Sequence, residues 1–140
     1  MSVIVSACLL GCNCKYNGGN NYNPRIAAFV EGKEVIAVCP EQLGGLPTPR
    51  PPAEIVEGVV TNRLGESVDA QFRLGACRAL ELARGREIEL AVLQSRSPSC
   101  GSRQVYDGTF SGRLVPGQGV FAAALSARDI PIIGSEEFEP

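Results

Sequence analysis

Six cysteines and no histidine occur among the 140 residues of this chain, and the cysteines are where its chemistry must be sought. Cys8, Cys39 and Cys100 each lie in a Gly-, Pro- or Ser-rich stretch just past an apolar run. The lack of histidine removes the Ser-His-Asp and Cys-His nucleophile pairs and every zinc site built on imidazole. A thiolate-only ligand set points to zinc, Cu(I) or an iron–sulfur cluster. Three thiolates with no obligatory fourth ligand suit a cluster or metal with an open position. Cys77 reads instead as a small apolar residue near the stripe of a long helix, a common role for free cysteine. Cys12 and Cys14 form a Cys-x-Cys pair. Cys12 reads as loop, while Cys14 is a spare that stands open between fourth ligand, resolving thiol and loop residue. None of Cys8, Cys12, Cys14, Cys39 and Cys100 is followed six residues on by arginine, which excludes a tyrosine-phosphatase-type loop.

Glu41 follows Cys39 by two residues, and Ser97 and Ser99 precede Cys100. A carboxylate beside hydroxyl donors can serve as a general base at a metal-bound substrate; the alternative is turn residues capping their own backbone. Lys15, Arg50, Arg96 and Arg103 can hold an anionic group such as a phosphate, or can simply be solvated charges. Ser6, at the first strand end, joins them as a candidate substrate contact. Gly117-Gln-Gly119-Val-Phe-Ala122 matches the dinucleotide fingerprint in its Ala-ended form. It follows a hairpin and Pro116 rather than the first strand, so it reads as a turn into a helix.

These groups need a scaffold that brings distant loops together. Residues 3–5, 35–38 and 88–93 are strand-like, and each run leads into one of the three cysteines. In a parallel sheet the carboxyl ends share one edge, so loops 31 and 61 residues apart can converge there. Asn23-Pro24 is a helix start, with Ile26, Ala27, Phe29 and Val30 as its apolar face and Gly32 as its stop. Residues 39–54 hold five of the ten prolines and read as a stiff, extended wall. Residues 55–60 read as a small hairpin, 68–84 as the longest helix, and 106–115 as a second hairpin. Residues 120–128 read as a short helix, 130–133 as a fourth strand, and 135–138 as a terminal helical turn. The expected fold is one α/β domain over residues 1–140: three-layered, Rossmann- or flavodoxin-like, with about four parallel strands and small hairpins.

No apolar run approaches the ~20 residues that span a bilayer, and no secretory signal is recognisable. A soluble cytoplasmic protein is expected, and in that compartment thiols stay reduced, which favours metal or reactivity over disulfides. A net charge of −2 with no basic run argues against a nucleic-acid polymer as partner.

Four ordered stretches carry a family resemblance. They are Val5-Ser-Ala-Cys-Leu-Leu-Gly, Val38-Cys-Pro-Glu-Gln-Leu-Gly-Gly-Leu-Pro-Thr-Pro-Arg-Pro-Pro-Ala-Glu54, Ser97-Pro-Ser-Cys-Gly101 and Tyr106-Asp-Gly-Thr-Phe-Ser-Gly112. Together they resemble the DUF523 family, which includes the thiouracil desulfidases. The resemblance implies a non-redox desulfidase carrying a [4Fe-4S] cluster on Cys8, Cys39 and Cys100. Its substrates would be thiolated uracil compounds: 4-thiouracil, 4-thiouridine or 4-thio-UMP. It implies Glu41 as the catalytic glutamate with Ser97 as its partner, Ser99 in reserve, and iron–sulfur assembly proteins as partners. Two other readings remain open on the residues: a zinc- or sulfide-binding module without catalysis, with Cys14 as its fourth ligand, and a thiol-redox protein using Cys12 and Cys14.

Overall fold

The computed structural model describes residues 1–139. Strand β1 (Ser2–Ser6) is buried along its whole length, as its Val3-Ile4-Val5 run demands. A 3₁₀ turn (Ala7–Leu10) and a polar loop lead to helix α1 (Pro24–Val30). Asn23 caps that helix, its side-chain oxygen accepting from the Arg25 and Ile26 amides at 3.0 and 3.2 Å. The chain continues through β2 (Glu34–Val38), α2 (Pro40–Leu43), β3 (Ala53–Val56), β4 (Val59–Asn62) and α3 (Asp69–Leu82). It ends with β5 (Ile88–Leu93), β6 (Gln104–Tyr106), β7 (Leu114–Pro116), α4 (Val120–Ser126) and β8 (Ile132–Gly134).

Four strands form one parallel sheet in the order β2-β1-β5-β8. β3–β4 and β6–β7 are separate antiparallel hairpins, as the sequence predicts. The alternation along β1 divides the core. Ile4 joins Ile36, Ala76, Ala79, Leu93, Phe121 and Leu125 on the side of α3 and α4. Val3 and Val5 join Leu9, Ile26, Val30, Val92 and Phe138 on the side of α1. The sheet is thus covered on both faces, which makes three layers.

Register sets the position of the site. Ser6 pairs with Val38, and Val5 with Ala37 on one side and Val92 on the other. β1, β2 and β5 therefore finish at one rim, and the segments carrying Cys8, Cys39 and Cys100 all leave from it. That is the edge where open α/β sheets bind ligands.

Two local expectations are corrected. Residues 39–54 are not extended throughout, because they open with the helical turn α2. Pro40 suits the first helical position, where its missing N–H forfeits nothing, and the turn rests on α3 by direct backbone contact. A Cβ at Gly44 would lie 1.9 Å from the Gln71 carbonyl oxygen, and one at Gly75 would lie 1.7 Å from that of Pro40. Cys77 is exposed rather than buried. The buried stripe of α3 runs through Phe72, Gly75, Ala76 and Ala79, and the next residue along a helix is turned away by about 100°. Residues 135–137 form a single turn, as the sequence predicts. Phe138 then turns into the α1 side of the core, edge-on to Phe29 with ring centres 5.2 Å apart.

Candidate active site

Above the rim lies a cavity of about 540 Å³ whose wall includes Cys8, Cys14, Cys39 and Cys100. Cys8 sits on the 3₁₀ turn, which Gly11 closes with φ of +96°, a value that favours glycine. The Asn21 amide donates to the Cys8 carbonyl at 2.9 Å, and its side-chain amide donates to Cys8 Sγ at 3.5 Å. Cys39 is the N-cap of α2, with its thiol 3.8 Å from the Cys14 carbonyl. Cys100 is held from behind by α4. The Gly119, Val120 and Phe121 amides donate to the carbonyls of Gly101, Pro98 and Ser99 at 2.8, 2.9 and 2.8 Å. These first-turn amides have no partner inside the helix, so the loop satisfies them. A Cβ at Gly119 would lie 2.5 Å from the Ser99 carbonyl carbon. The glycine-rich motif at 117–122 is thus a turn into a helix, and its second glycine seats the loop 97–101.

The thiols differ in proton affinity. Cys14 is the protonated neighbour of Cys8 and Cys39 and favours their ionised forms, which lowers each to about 7 from an ordinary 9.0 against the opposing effect of burial. The same two sulfurs, with burial, hold the Cys14 thiol well above the usual range. Burial pushes the Cys100 thiol up to about 12, against the opposing Ser6 and Ser99 hydroxyls. Forming that thiolate calls for a cation at the sulfur, the coupling expected of a metal ligand. Among the described residues, no three Cys, Asp or Glu side chains are placed to hold a single metal ion. Cys8, Cys39 and Cys100, all on the cavity wall, are the thiols that could hold an iron–sulfur cluster. The N–H donor at sulfur from Asn21 to Cys8 suits a thiolate ligand of that kind, and the Ser99 hydroxyl oxygen lies 3.7 Å from Cys100 Sγ. Cys12 is exposed and, like Cys77, stands outside the cavity wall.

Glu41, in the first turn of α2, connects the thiols to the serines. Its Oε1 accepts from Arg50 Nε at 3.0 Å, and its Oε2 accepts from the Ser99 hydroxyl at 2.9 Å. Ser99 Oγ is in turn 2.9 Å from Ser97 Oγ. Ser97 Oγ already accepts from the Ser99 and Cys100 amides, both at 3.1 Å. With both lone pairs engaged, Ser97 donates to Ser99, and Ser99 donates to Glu41. The hydroxyl in direct contact with Glu41 is therefore that of Ser99, which is buried, while Ser97 is one step removed and half-buried.

The expected substrate contacts divide. Ser6 is buried, lines the cavity and accepts from the Gln94 amide at 2.9 Å, which ties β1 to the start of the loop after β5. Arg96 lines the cavity but pairs with Glu136 at 2.9 Å. Arg50 is buried on Glu41. Arg103 lies outside the cavity, in a separate groove with Gln118 and Ser126. Lys15 does line it, 5.9 Å from the centre of the Tyr16 ring. Sequence reasoning missed Arg63, which also lines the cavity, 5.9 Å from the Phe110 ring centre. It missed Glu54 too, whose Oε1 accepts from the Gly108 and Phe110 amides at 3.0 and 3.1 Å. No local signal marks either residue; both depend on how the two hairpins fold over the rim.

Comparison with known proteins agrees with this architecture. A solved [4Fe-4S]-dependent thiouracil desulfidase, TudS, superposes with a TM-score of 0.88 at 41% identity, over 98% of this chain and 92% of that one. The uncharacterized protein YbbK of Bacillus subtilis (strain 168) is 37% identical across 96% of both chains. A sequence model of the 2-thiouracil desulfurase family matches residues 3–137, nearly the whole chain, and this protein belongs to that family.

Proposed function

We propose that this protein is a [4Fe-4S]-dependent desulfidase that converts a thiolated uracil compound and water to the uracil compound and sulfide, without redox change. The observation that carries the reading is the placement of the Ser97–Ser99–Glu41 chain on the wall of the cavity that also bears the thiols. Cys8, Cys39 and Cys100 would hold the cluster, and Cys14 stays a protonated neighbour of two of them. When bound, an iron without a protein ligand supplies a thiophilic Lewis acid for a C=S group.

The chain's own residues do the proton work. Glu41 Oε2 takes a proton from water, whose oxygen adds to the ring carbon as one electron pair of the C=S bond moves onto sulfur. Collapse of that adduct forms the C=O bond and breaks the remaining carbon–sulfur bond, whose electron pair leaves with sulfur. The proton held by Glu41 and the second water proton, still on the new oxygen, both pass to the departing sulfide, so thiocarbonyl and water give carbonyl and hydrogen sulfide. Ser99 holds Oε2 in place, and Ser97 orients Ser99. Arg50 and Arg96 are engaged with carboxylates, so Lys15 and Arg63 are the cavity cations left to meet a sugar phosphate. The protein would work in the cytoplasm and receive its cluster from iron–sulfur assembly proteins.

The test is anaerobic reconstitution with iron and sulfide, then incubation with 4-thiouracil, 4-thiouridine and 4-thio-UMP. Loss of the thiocarbonyl absorbance with release of sulfide is expected for at least one of them. An iron-loaded protein that leaves all three untouched would overturn the proposal and favour a non-catalytic module.

A further inference from the structure

Arg50 is expected from sequence to grip an anionic substrate group, yet its surroundings give it another task. Its side chain is 5% exposed, and four of its five N–H donors are already engaged. Nε donates to Glu41 Oε1 at 3.0 Å, and Nη2 donates to the Cys14 carbonyl at 2.9 Å. Nη1 donates to the Pro47 carbonyl at 3.2 Å and to Thr48 Oγ1 at 3.0 Å. The Arg50 amide adds a bond of 2.7 Å to the Tyr16 carbonyl. One guanidinium thus joins the proline tract, the loop that carries Cys14, and the carboxylate of α2. A planar fork can hold these directions at once, whereas an ammonium cannot.

We propose that Arg50 is a positioning residue: buried between Glu41 and the Cys14 carbonyl, it fixes the carboxylate relative to the thiol loop and does not bind the substrate. With Oε1 held by Arg50, Oε2 is left to Ser99 and the reacting water. The inference rests on the desulfidase reading and deepens it. Small misplacements of a catalytic group cost about 100-fold in rate, so the loss belongs in kcat and not in substrate binding.

The experiment uses Arg50→Ala and Arg50→Lys, reconstituted anaerobically beside the wild type. Iron content is measured, together with kcat and KM on 4-thiouracil and on 4-thio-UMP. Kinetics are read on whichever variant loads iron as the wild type does. The expected result is a kcat about 10- to 100-fold lower, equally for both compounds, with KM within about twofold of wild type. A KM increase confined to the monophosphate, with kcat kept, would make Arg50 an anion clamp and overturn the role. Loss of iron from both variants would make it a support of the thiol loop and overturn the role as well. So would unimpaired turnover. An iron-loaded wild type that is inert defeats the desulfidase reading itself, whereas an active wild type with any of these three outcomes defeats the Arg50 role alone.

Discussion

Cys14 sets the acidity of the two thiols beside it. As a protonated thiol beside both, Cys14 favours the thiolate form of Cys8 and of Cys39, which brings each down to about 7. In metal-free protein, alkylation of Cys8 and Cys39 is therefore slow below pH 6, rises through a midpoint near 7 and levels off before pH 9, because the thiolate is the nucleophile. Cys100, raised to about 12, stays unreactive over that range. Cys14→Ala removes that neighbour, so the midpoint should move up toward about 8.5, the value of an ordinary thiol. A midpoint already near that value in the wild type would refute the account of Cys14. For the ligand set, Cys8→Ala, Cys39→Ala and Cys100→Ala should each abolish iron uptake, while Cys77→Ala should keep it. Uptake equal to wild type in any of the first three would remove that residue from the set. The residue types were legible in sequence; the pairing of Glu41 with Ser99 and Arg50 was not. Those contacts span 58 and 9 positions and depend on the paths of two loops.

At the scale of elements, the strands were legible because β-branched runs long enough to be buried admit few alternatives. The helix α1 was marked by Asn23 and Pro24, and the β3–β4 turn by Gly58. What the sequence did not reveal was α2. Its four residues are too few to show a period, and its stability comes from resting on α3. That contact has a consequence for function, because α2 carries Glu41 and follows Cys39 directly. Gly75→Ala would drive a methyl group into the Pro40 carbonyl. The expected result is a loss of about 1–3 kcal/mol in stability, read as a lower Tm, together with reduced turnover as Glu41 shifts. An unchanged Tm and full activity would show that α2 is free to move without consequence.

At the scale of the molecule, the sheet supplies a rim and the two hairpins supply a cover. Glu54, from β3, accepts from the Gly108 and Phe110 amides of the loop between β6 and β7, and so pins one hairpin to the other. Glu54→Ala leaves those amides without their acceptor, a loss of about 1–3 kcal/mol where they stay shielded from water. A lower Tm is expected, with the KM for the thiolated base raised as the cover loosens; an unaltered Tm and KM would contradict the pinning. The convergence of the thiols could be foreseen from parallel strands alone, whereas the cover could not, because hairpin placement leaves no periodic trace. The central claim is that water replaces sulfur on the ring with no electrons exchanged, at a site built from thiols and Glu41. It is tested most directly by running the anaerobically reconstituted protein in heavy-oxygen water with no reductant present. The expected result is uracil carrying the heavy oxygen at the carbon that bore sulfur, with sulfide released in equal amount. Unlabelled uracil, or turnover that requires an added electron donor, would contradict it.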